Sequence, residues 1–193
     1  LPCLWLVWTR VPAGLAFRPV ALGDLGVALR DPTLMLAVMF TASFLSGIYV
    51  VLTYMGPLVE ARMGFGGAGV SAVLFALGLG AVAGKLLGGL AADRFGSFRT
   101  LMALALAQVA LLPAFSALPV PVGVLMALIL VWSALGWSFV AGQQVRLVAL
   151  APEAAPVLLA LNAAAIYVGA ALGSAIGAGV LGVAELNALG LAG

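Results

Sequence analysis

Long apolar stretches, separated by short polar or charged segments, follow one another along this chain of 193 residues. Five of them are long enough to cross a hydrocarbon core of roughly 30 Å as a helix that rises about 1.5 Å per residue. They cover residues 34–56, 69–92, 101–118, 122–142 and 157–183. Shorter apolar runs at 1–8 and from 186 predict two truncated transmembrane helices. The pattern therefore predicts an all-α integral membrane protein with five complete transmembrane helices.

The composition agrees with a membrane protein and narrows the possible chemistry. With 65% hydrophobic and 7% charged residues, the chain lacks the polar surface that a soluble domain needs. A scattered net charge of +2 gives no indication of nucleic-acid binding. One cysteine, Cys3, and no histidine leave few metal ligands and no nucleophile paired with a base. We therefore expect no metal, no cofactor and no enzymatic activity.

The basic residues between the apolar stretches predict the orientation in the membrane. If the spans alternate in direction, Arg62 lies on one side and six arginines lie on the other: Arg10, Arg18, Arg30, Arg94, Arg99 and Arg146. The positive-inside rule assigns the arginine-rich side to the cytoplasm. The loops containing Arg10–Arg30, Asp93–Arg99 and Gln143–Glu153 are then cytoplasmic, and 9–33 is a cytoplasmic loop with a short interfacial helix.

Glycines recur every four residues in two of the spans. Gly80, Gly84 and Gly88 share one face of the second span, and a shift of 89 residues lays them on Gly169, Gly173 and Gly177 in the fifth. Small residues on a helix face allow close packing in lipid. Because the two spans are three apart and opposite in direction, the match also indicates nested three-helix inverted repeats, as in secondary transporters.

The segment Gly89-Leu-Ala-Ala-Asp93-Arg-Phe-Gly96 resembles the G-x-x-x-D-R-x-G loop signature of the major facilitator superfamily. Gln143-Gln144, Ala151-Pro152-Glu153 and Ala160-Leu161-Asn162 are similar to the later part of its twelve-helix bacterial efflux members. The resemblance implies the C-terminal six-helix half of a major facilitator fold. The complete spans would then be helices seven to eleven, and 34–193 the transmembrane bundle.

The resemblance also implies a function. It predicts a secondary active transporter of the bacterial inner membrane, with proton-coupled efflux of drugs, sugars or nucleosides by alternating access. The partners would be the lipid bilayer, an N-terminal six-helix half, the substrate and protons. Since no Asp or Glu lies deep in a complete span, we expect any proton-carrying carboxylate in the other half.

The loop signature supplies the first set of candidate residues: Gly89, Asp93, Arg94, Gly96 and Arg99. The resemblance implies that this motif latches the two halves together on the cytoplasmic side, and the alternative is a solvated turn that only sets topology. The chain departs from the family pattern because Ser97 and Phe98 separate Gly96 from the basic Arg99.

A second set of candidates concerns a substrate pathway. Ser46, Tyr49 and Thr53 share a helical stripe that would line a path if the first span faces inward, although hydroxyls also bond locally within helices. Trp132 and Trp137 lie inside the fourth span, as a pocket wall or as core. Asn162 serves either the pathway or interhelical bonding. Lys85 snorkels to the cytoplasmic interface or faces a wet cavity, where it would meet an anion or a carboxylate.

One alternative function belongs to a different class. A structural or interaction membrane protein could pack against partners through the same glycine-rich faces, with no transport pathway at all. Such a protein would also account for the absence of acidic side chains deep in the complete spans.

Overall fold

The computed structural model describes residue 9 and residues 22 to 193 of the chain. Within that part every regular element is a helix, and five segments are long and apolar enough to cross a membrane. The predicted all-α membrane fold is thus confirmed. The predictions for residues 1–8, for Arg10 and for Arg18 lie outside the described residues.

The helices follow the predicted order along the chain. We number them α1 to α8: Leu22–Arg30, Pro32–Leu52, Met55–Met63, Gly67–Phe95, Ser97–Leu111, Val122–Leu150, Ala155–Leu181 and Leu189–Ala192. Short 3-10 turns occupy Leu112–Ala117, Pro152–Ala154 and Leu186–Ala188. The five candidate membrane spans are Pro32–Met63, Gly67–Phe95, Ser97–Ala117, Val122–Leu150 and Pro152–Leu181.

Local sequence signals explain where several of these helices begin and end. The Asp31 carboxylate accepts hydrogen bonds from the backbone N–H groups of Thr33 at 2.8 Å and Leu34 at 3.2 Å, which caps α2. Pro32 occupies the first helical position, where its missing N–H costs nothing. Gly64 and Gly96 end α3 and α4 with φ of 67° and 85°, a backbone region that favours glycine.

Two segments expected to be loops are helical instead. Gly56 and Pro57 were expected to close the first span, but after a break at residues 53–54 they lie in the first turn of α3, where proline needs no hydrogen bond. Gln143 and Arg146 were expected to end the fourth span, but α6 continues to Leu150. The helix persists because the Gln143 amide is buried and bonded to a neighbouring helix, so its polarity does not mark an exit from the membrane.

The charged turn after the second span is also shorter than expected. Asp93 and Arg94 belong to the last turn of α4, which ends at Phe95, and Gly96 alone separates α4 from α5. The chain reverses within one residue because Gly96 adopts a positive φ. Thr100 supports this reversal by donating a hydrogen bond from its hydroxyl to the carbonyl oxygen of Ala91 at 3.1 Å.

The first glycine ridge packs α4 against α6. Gly80 faces Leu130, Gly84 faces Ala134 and Gly88 faces Ser138. Residue numbers increase in the same direction along both helices at these contacts, so the two helices run parallel. A Cβ atom at Gly80 would lie 2.7 Å from the Leu130 carbonyl oxygen. Two α6 hydroxyls reinforce the contact: Ser133 donates to the Leu77 carbonyl at 2.7 Å, and Ser138 to the Gly84 carbonyl at 2.9 Å.

The second glycine ridge packs α7 against α2 in the same manner. Gly169 faces Ala42, Gly173 faces Ser46 and Gly177 faces Val50 and Tyr54. A Cβ atom at Gly169 would lie 2.5 Å from the Ala42 carbonyl oxygen. At the far end of this pair, the Tyr54 hydroxyl donates to the Ser174 carbonyl at 2.8 Å.

The two pairs are related by the repeat that the glycine spacing predicted. Each ridge meets partner positions that are also four residues apart, near 130, 134 and 138 in one pair and near 42, 46 and 50 in the other. The first helix of each three-helix unit therefore packs on the second helix of the other unit. This crossed arrangement agrees with an inverted repeat.

The close backbone contact at Gly84 yields a stability prediction. A Cβ in Gly84→Ala would collide with the Ala134 carbonyl oxygen, so we expect a loss of about 1 to 3 kcal/mol and a lower unfolding temperature in detergent. Gly179→Ala in α7 is the matched control, because a Cβ there meets nothing within 4 Å. Equal unfolding temperatures for the two variants would contradict the proposed contact.

Candidate functional site

A mainly apolar cleft of about 200 Å³ lies between α2, α4 and α6. Four of its lining residues come from α2, three from α4 and four from α6: Leu45, Ile48, Tyr49 and Leu52; Leu77, Gly78 and Ala81; Trp132, Ser133, Gly136 and Trp137. Within each helix these positions are three or four residues apart or adjacent, so they share one face. The cleft is thus formed by the inner faces of three helices from both units of the repeat.

A glycine in α6 shapes the wall of the cleft. A Cβ atom at Gly136 would lie 3.0 Å from Cδ1 of Ile48 and 3.3 Å from Nε2 of Gln108. The missing side chain allows Ile48 to reach the cleft from one side and the Gln108 amide to pack behind α6. Gln108 there donates a hydrogen bond to the backbone carbonyl of Trp132 at 3.0 Å.

Two tryptophans form the aromatic part of the cleft. Trp132 is buried and packs edge-on against Phe115, with ring centroids 5.0 Å apart. Within the described part of the chain, its indole N–H and the Gln108 side-chain oxygen have no hydrogen-bond partner. Trp137 is half-buried, and its ring lies 5.2 Å from the ammonium nitrogen of Lys85.

Lys85 places a positive charge beside the cleft. It follows Gly78 and Ala81 at i+7 and i+4, so it continues the α4 face that lines the cleft. It also lies ten residues before the end of α4 at Phe95, which is about 15 Å along the axis. The sequence left two positions open for the Lys85 ammonium, the cytoplasmic interface and a wet cavity. Its position over the Trp137 ring favours the cavity.

The structure brings three of the predicted pathway residues together and separates the other three. Tyr49, Trp132 and Trp137 line the cleft. Ser46 and Thr53 lie toward α7, where the Ser46 carbonyl faces Gly173 and the Thr53 hydroxyl is 2.7 Å from that of Ser174. The stripe divides in this way because, at 100° per residue, Tyr49 points about 40 to 60° away from the other two.

Asn162 belongs to a buried polar cluster that connects three helices. Its side-chain oxygen accepts a 2.7 Å hydrogen bond from the Thr41 hydroxyl, and Gln143 Nε2 donates to Thr41 at 3.1 Å and to the Ala37 carbonyl at 2.6 Å. All three side chains are buried, away from the cleft. This placement favours interhelical bonding for Asn162. Sequence reasoning missed Thr41 and Gln143, although polar side chains within apolar spans were an available signal.

The loop motif lies on the outside of the described bundle. Asp93, Arg94 and Arg99 are exposed, and the Arg94 guanidinium lies 5.7 Å from the Phe95 ring centroid. A Cβ atom at Gly89 would meet nothing within 4 Å. Nothing in the described part of the chain therefore requires glycine at this position, whereas the positive φ of Gly96 does.

The fold and the cleft define a multi-pass helical membrane protein with a small-molecule-sized opening between its helices. The chain is 30% identical over 161 residues to the uncharacterized MFS-type transporter YbcL of Bacillus subtilis, which covers 83% of this chain and 41% of that protein. It is 28% identical over 178 residues to the inner membrane transport protein YdhP of Escherichia coli O157:H7, which covers 91% of this chain and 45% of that protein. No family model matches the chain.

Over most of its length the chain is thus similar to part of two membrane transport proteins, one of which is named as MFS-type. Both relatives are named as transporters and not as enzymes. The chain spans less than half the length of each of these two relatives.

The buried polar cluster predicts a coupling between two distant positions. Thr41→Val leaves the Asn162 oxygen without its donor, so we expect a loss of about 0.6 to 2 kcal/mol in unfolding free energy. Asn162→Leu removes the same bond from the other side. In a double-mutant cycle measured by denaturant unfolding in detergent, the double variant should lose less than the sum of the single losses. Additive losses would show that the two side chains do not interact.

Proposed function

We propose that this chain is the C-terminal half of a proton-coupled MFS efflux transporter that works by alternating access in the bacterial inner membrane. The observation that carries the proposal is the crossed packing of α2 with α7 and of α4 with α6. The similarity to two transporters over most of the chain supports it independently.

Crossed packing supports a transporter because it builds a cleft from symmetry-related helices. In inverted-repeat transporters the substrate site lies where the repeats meet near the middle of the membrane. Here α2 and α6, the first helices of the two units, contribute eight of the lining residues, and α4 completes the wall. The apolar lining favours substrates with an apolar portion.

The alternative function loses its main support in this fold. It relied on glycine faces that would pack against partner proteins. Both ridges are instead occupied within the chain, Gly80, Gly84 and Gly88 by α6 and Gly169, Gly173 and Gly177 by α2. The six ridge glycines therefore explain how the bundle is assembled, and their faces are already covered by helices of the same chain.

The exposed loop motif supports a contact with a second half of the transporter. Gly89 and Asp93 are one helical turn apart on α4, and both are accessible: a Cβ at Gly89 meets nothing within 4 Å, and Asp93 is exposed. In our proposal this face meets the N-terminal half on the cytoplasmic side and separates from it when the transporter changes state. Arg94 and Arg99 add positive charge at the same end.

The positions of the acidic residues support different roles for the two halves in proton coupling. All six lie in loops or near helix ends: Asp24, Asp31, Glu60, Asp93, Glu153 and Glu185. A proton carrier in the membrane interior needs a titratable group there. We therefore assign the carrier to the N-terminal half and one wall of the substrate site to this half.

The test uses the full-length transporter in liposomes with an imposed pH gradient. Transport of ethidium, uridine and glucose would be followed in parallel, so that a cation, a nucleoside and a sugar are all sampled. Gradient-driven transport of at least one compound is expected. No transport of any of them above protein-free liposomes, with folded protein present, would contradict the proposal.

The motif gives a sharper prediction within the same assay. Asp93→Asn should lower the transport rate about tenfold, because it weakens a contact that couples the two conformational states, while the amount of folded protein stays the same. Glu60→Gln is the control, since Glu60 is an exposed acid in α3, near the opposite end of the bundle. Equal transport rates for Asp93→Asn and Glu60→Gln would show that the motif takes no part in the transport mechanism.

A further inference from the structure

We propose that the cleft between α2, α4 and α6 binds amphipathic organic anions, with an aromatic body against Trp137 and an anionic group on the Lys85 ammonium. The proposal rests on the proposed transport function and narrows it to a substrate class. Four observations carry it: the position of Lys85, the contact it makes, the absence of a matching carboxylate in the described chain, and the lining of the cleft.

The helical register places Lys85 beside the cleft, at the side nearer the C-terminal end of α4. Gly78 and Ala81 line the cleft, and Lys85 follows Ala81 by one turn on the same face of α4. The Gly84 and Gly88 contacts with α6 lie on either side of it and fix the rotation of α4 about its axis. The lysine side chain therefore emerges where α4 and α6 border the cleft.

The contact with Trp137 holds the ammonium beside the cleft. The ammonium nitrogen lies 5.2 Å from the ring centroid, within the range of a cation–π interaction. Trp137 also belongs to the cleft wall. One aromatic face therefore adjoins both the positive charge and the apolar space, as an aromatic anion requires.

No carboxylate within the described residues neutralises Lys85. An ion pair within these residues joins Arg62, which lies in α3 before the start of α4, to Glu185, which follows the end of α7. The acid on the same helix, Asp93, is eight residues away, about 12 Å along the axis. An ammonium has three N–H donors, and a ring face satisfies them only in part. An anionic ligand would supply both the missing charge and the missing acceptors.

The lining of the cleft defines the rest of the ligand. Its volume of about 200 Å³ exceeds the cavity of about 150 Å³ that holds benzene in an engineered protein core. Leu45, Ile48 and Leu77 line this space together with Trp132 and Trp137. The Ser133 hydroxyl is already bonded to the Leu77 carbonyl, so it offers its hydrogen to no ligand. A small aromatic body with one anionic group fits this combination.

The experiment compares two probes of the same shape on the purified full-length protein. The anion 2-naphthoate and its neutral analogue 2-naphthamide share one aromatic body, and binding is followed by equilibrium dialysis. We expect 2-naphthoate to bind about tenfold or more tightly, and Lys85→Met to remove this preference while leaving 2-naphthamide binding unchanged. Lys85→Arg, which keeps the charge, should retain the preference.

Each other outcome decides against the proposal. Equal binding of the two probes, or an equal loss of both in Lys85→Met, would show that Lys85 does not select anions. Such a result is expected if a carboxylate elsewhere in the full-length protein already neutralises Lys85.

Transport measured on the same preparation separates this proposal from the proposed function. If ethidium, uridine or glucose is transported into the liposomes but 2-naphthoate is not bound more tightly than 2-naphthamide, the proposed function is supported and the proposed anion site is contradicted. If Lys85-dependent binding is present but no compound, including 2-naphthoate, is transported, the anion site is supported and the proposed function is contradicted.

Discussion

Close contact between helix backbones is the constraint on which this structure depends. In a lipid environment, apolar side chains gain little by leaving the bilayer for a helix interface, so association relies on van der Waals contact and interhelical hydrogen bonds. Six glycines in two ridges allow that contact, and any side chain at Gly84 or Gly173 would meet the carbonyl oxygen of a neighbouring helix. The hydroxyls of Ser133 and Ser138 on α6 then bond to the α4 carbonyls of Leu77 and Gly84. The ridges hold α4 on α6 and α7 on α2, and the cleft lies between these two pairs.

The sequence predicted the fold class and the order of the spans because hydropathy depends on local composition. It also predicted the packing role of the glycines, since their four-residue spacing defines a face. It did not predict which helices would meet across those faces, because partner choice depends on contacts far apart in the chain. Helix ends were misjudged for a related reason: Gln143 is polar, yet it finds its partner on α2, and Pro57 lies in the first turn of a helix, where proline is tolerated.

The candidate site was predictable only in part. Trp132 and Trp137 stood out as aromatic residues in the middle of a span, and both line the cleft. Tyr49 shared a stripe with Ser46 and Thr53, but a rotation of about 40 to 60° separates a cleft-facing side chain from one that faces α7. The position of Lys85 over Trp137 was not predictable, because it depends on the registry of α4 against α6, which the glycine contacts set. Charge and aromatic surface meet there as a consequence of backbone packing.

The most direct test of the account is the accessibility of the cleft in the full-length protein. With every native cysteine, Cys3 included, replaced by serine, Ala81→Cys would place one thiol on the cleft wall, and its reaction with a membrane-impermeant methanethiosulfonate reagent would be timed from each side of the membrane. Val109→Cys on the exposed face of α5 is the control. We predict that Ala81→Cys reacts from both sides, at rates that shift in opposite directions when a transported compound is added, whereas the control rates do not change. Absence of reaction from either side, or rates unaffected by the transported compound, would contradict a cleft that opens alternately to the two sides of the membrane.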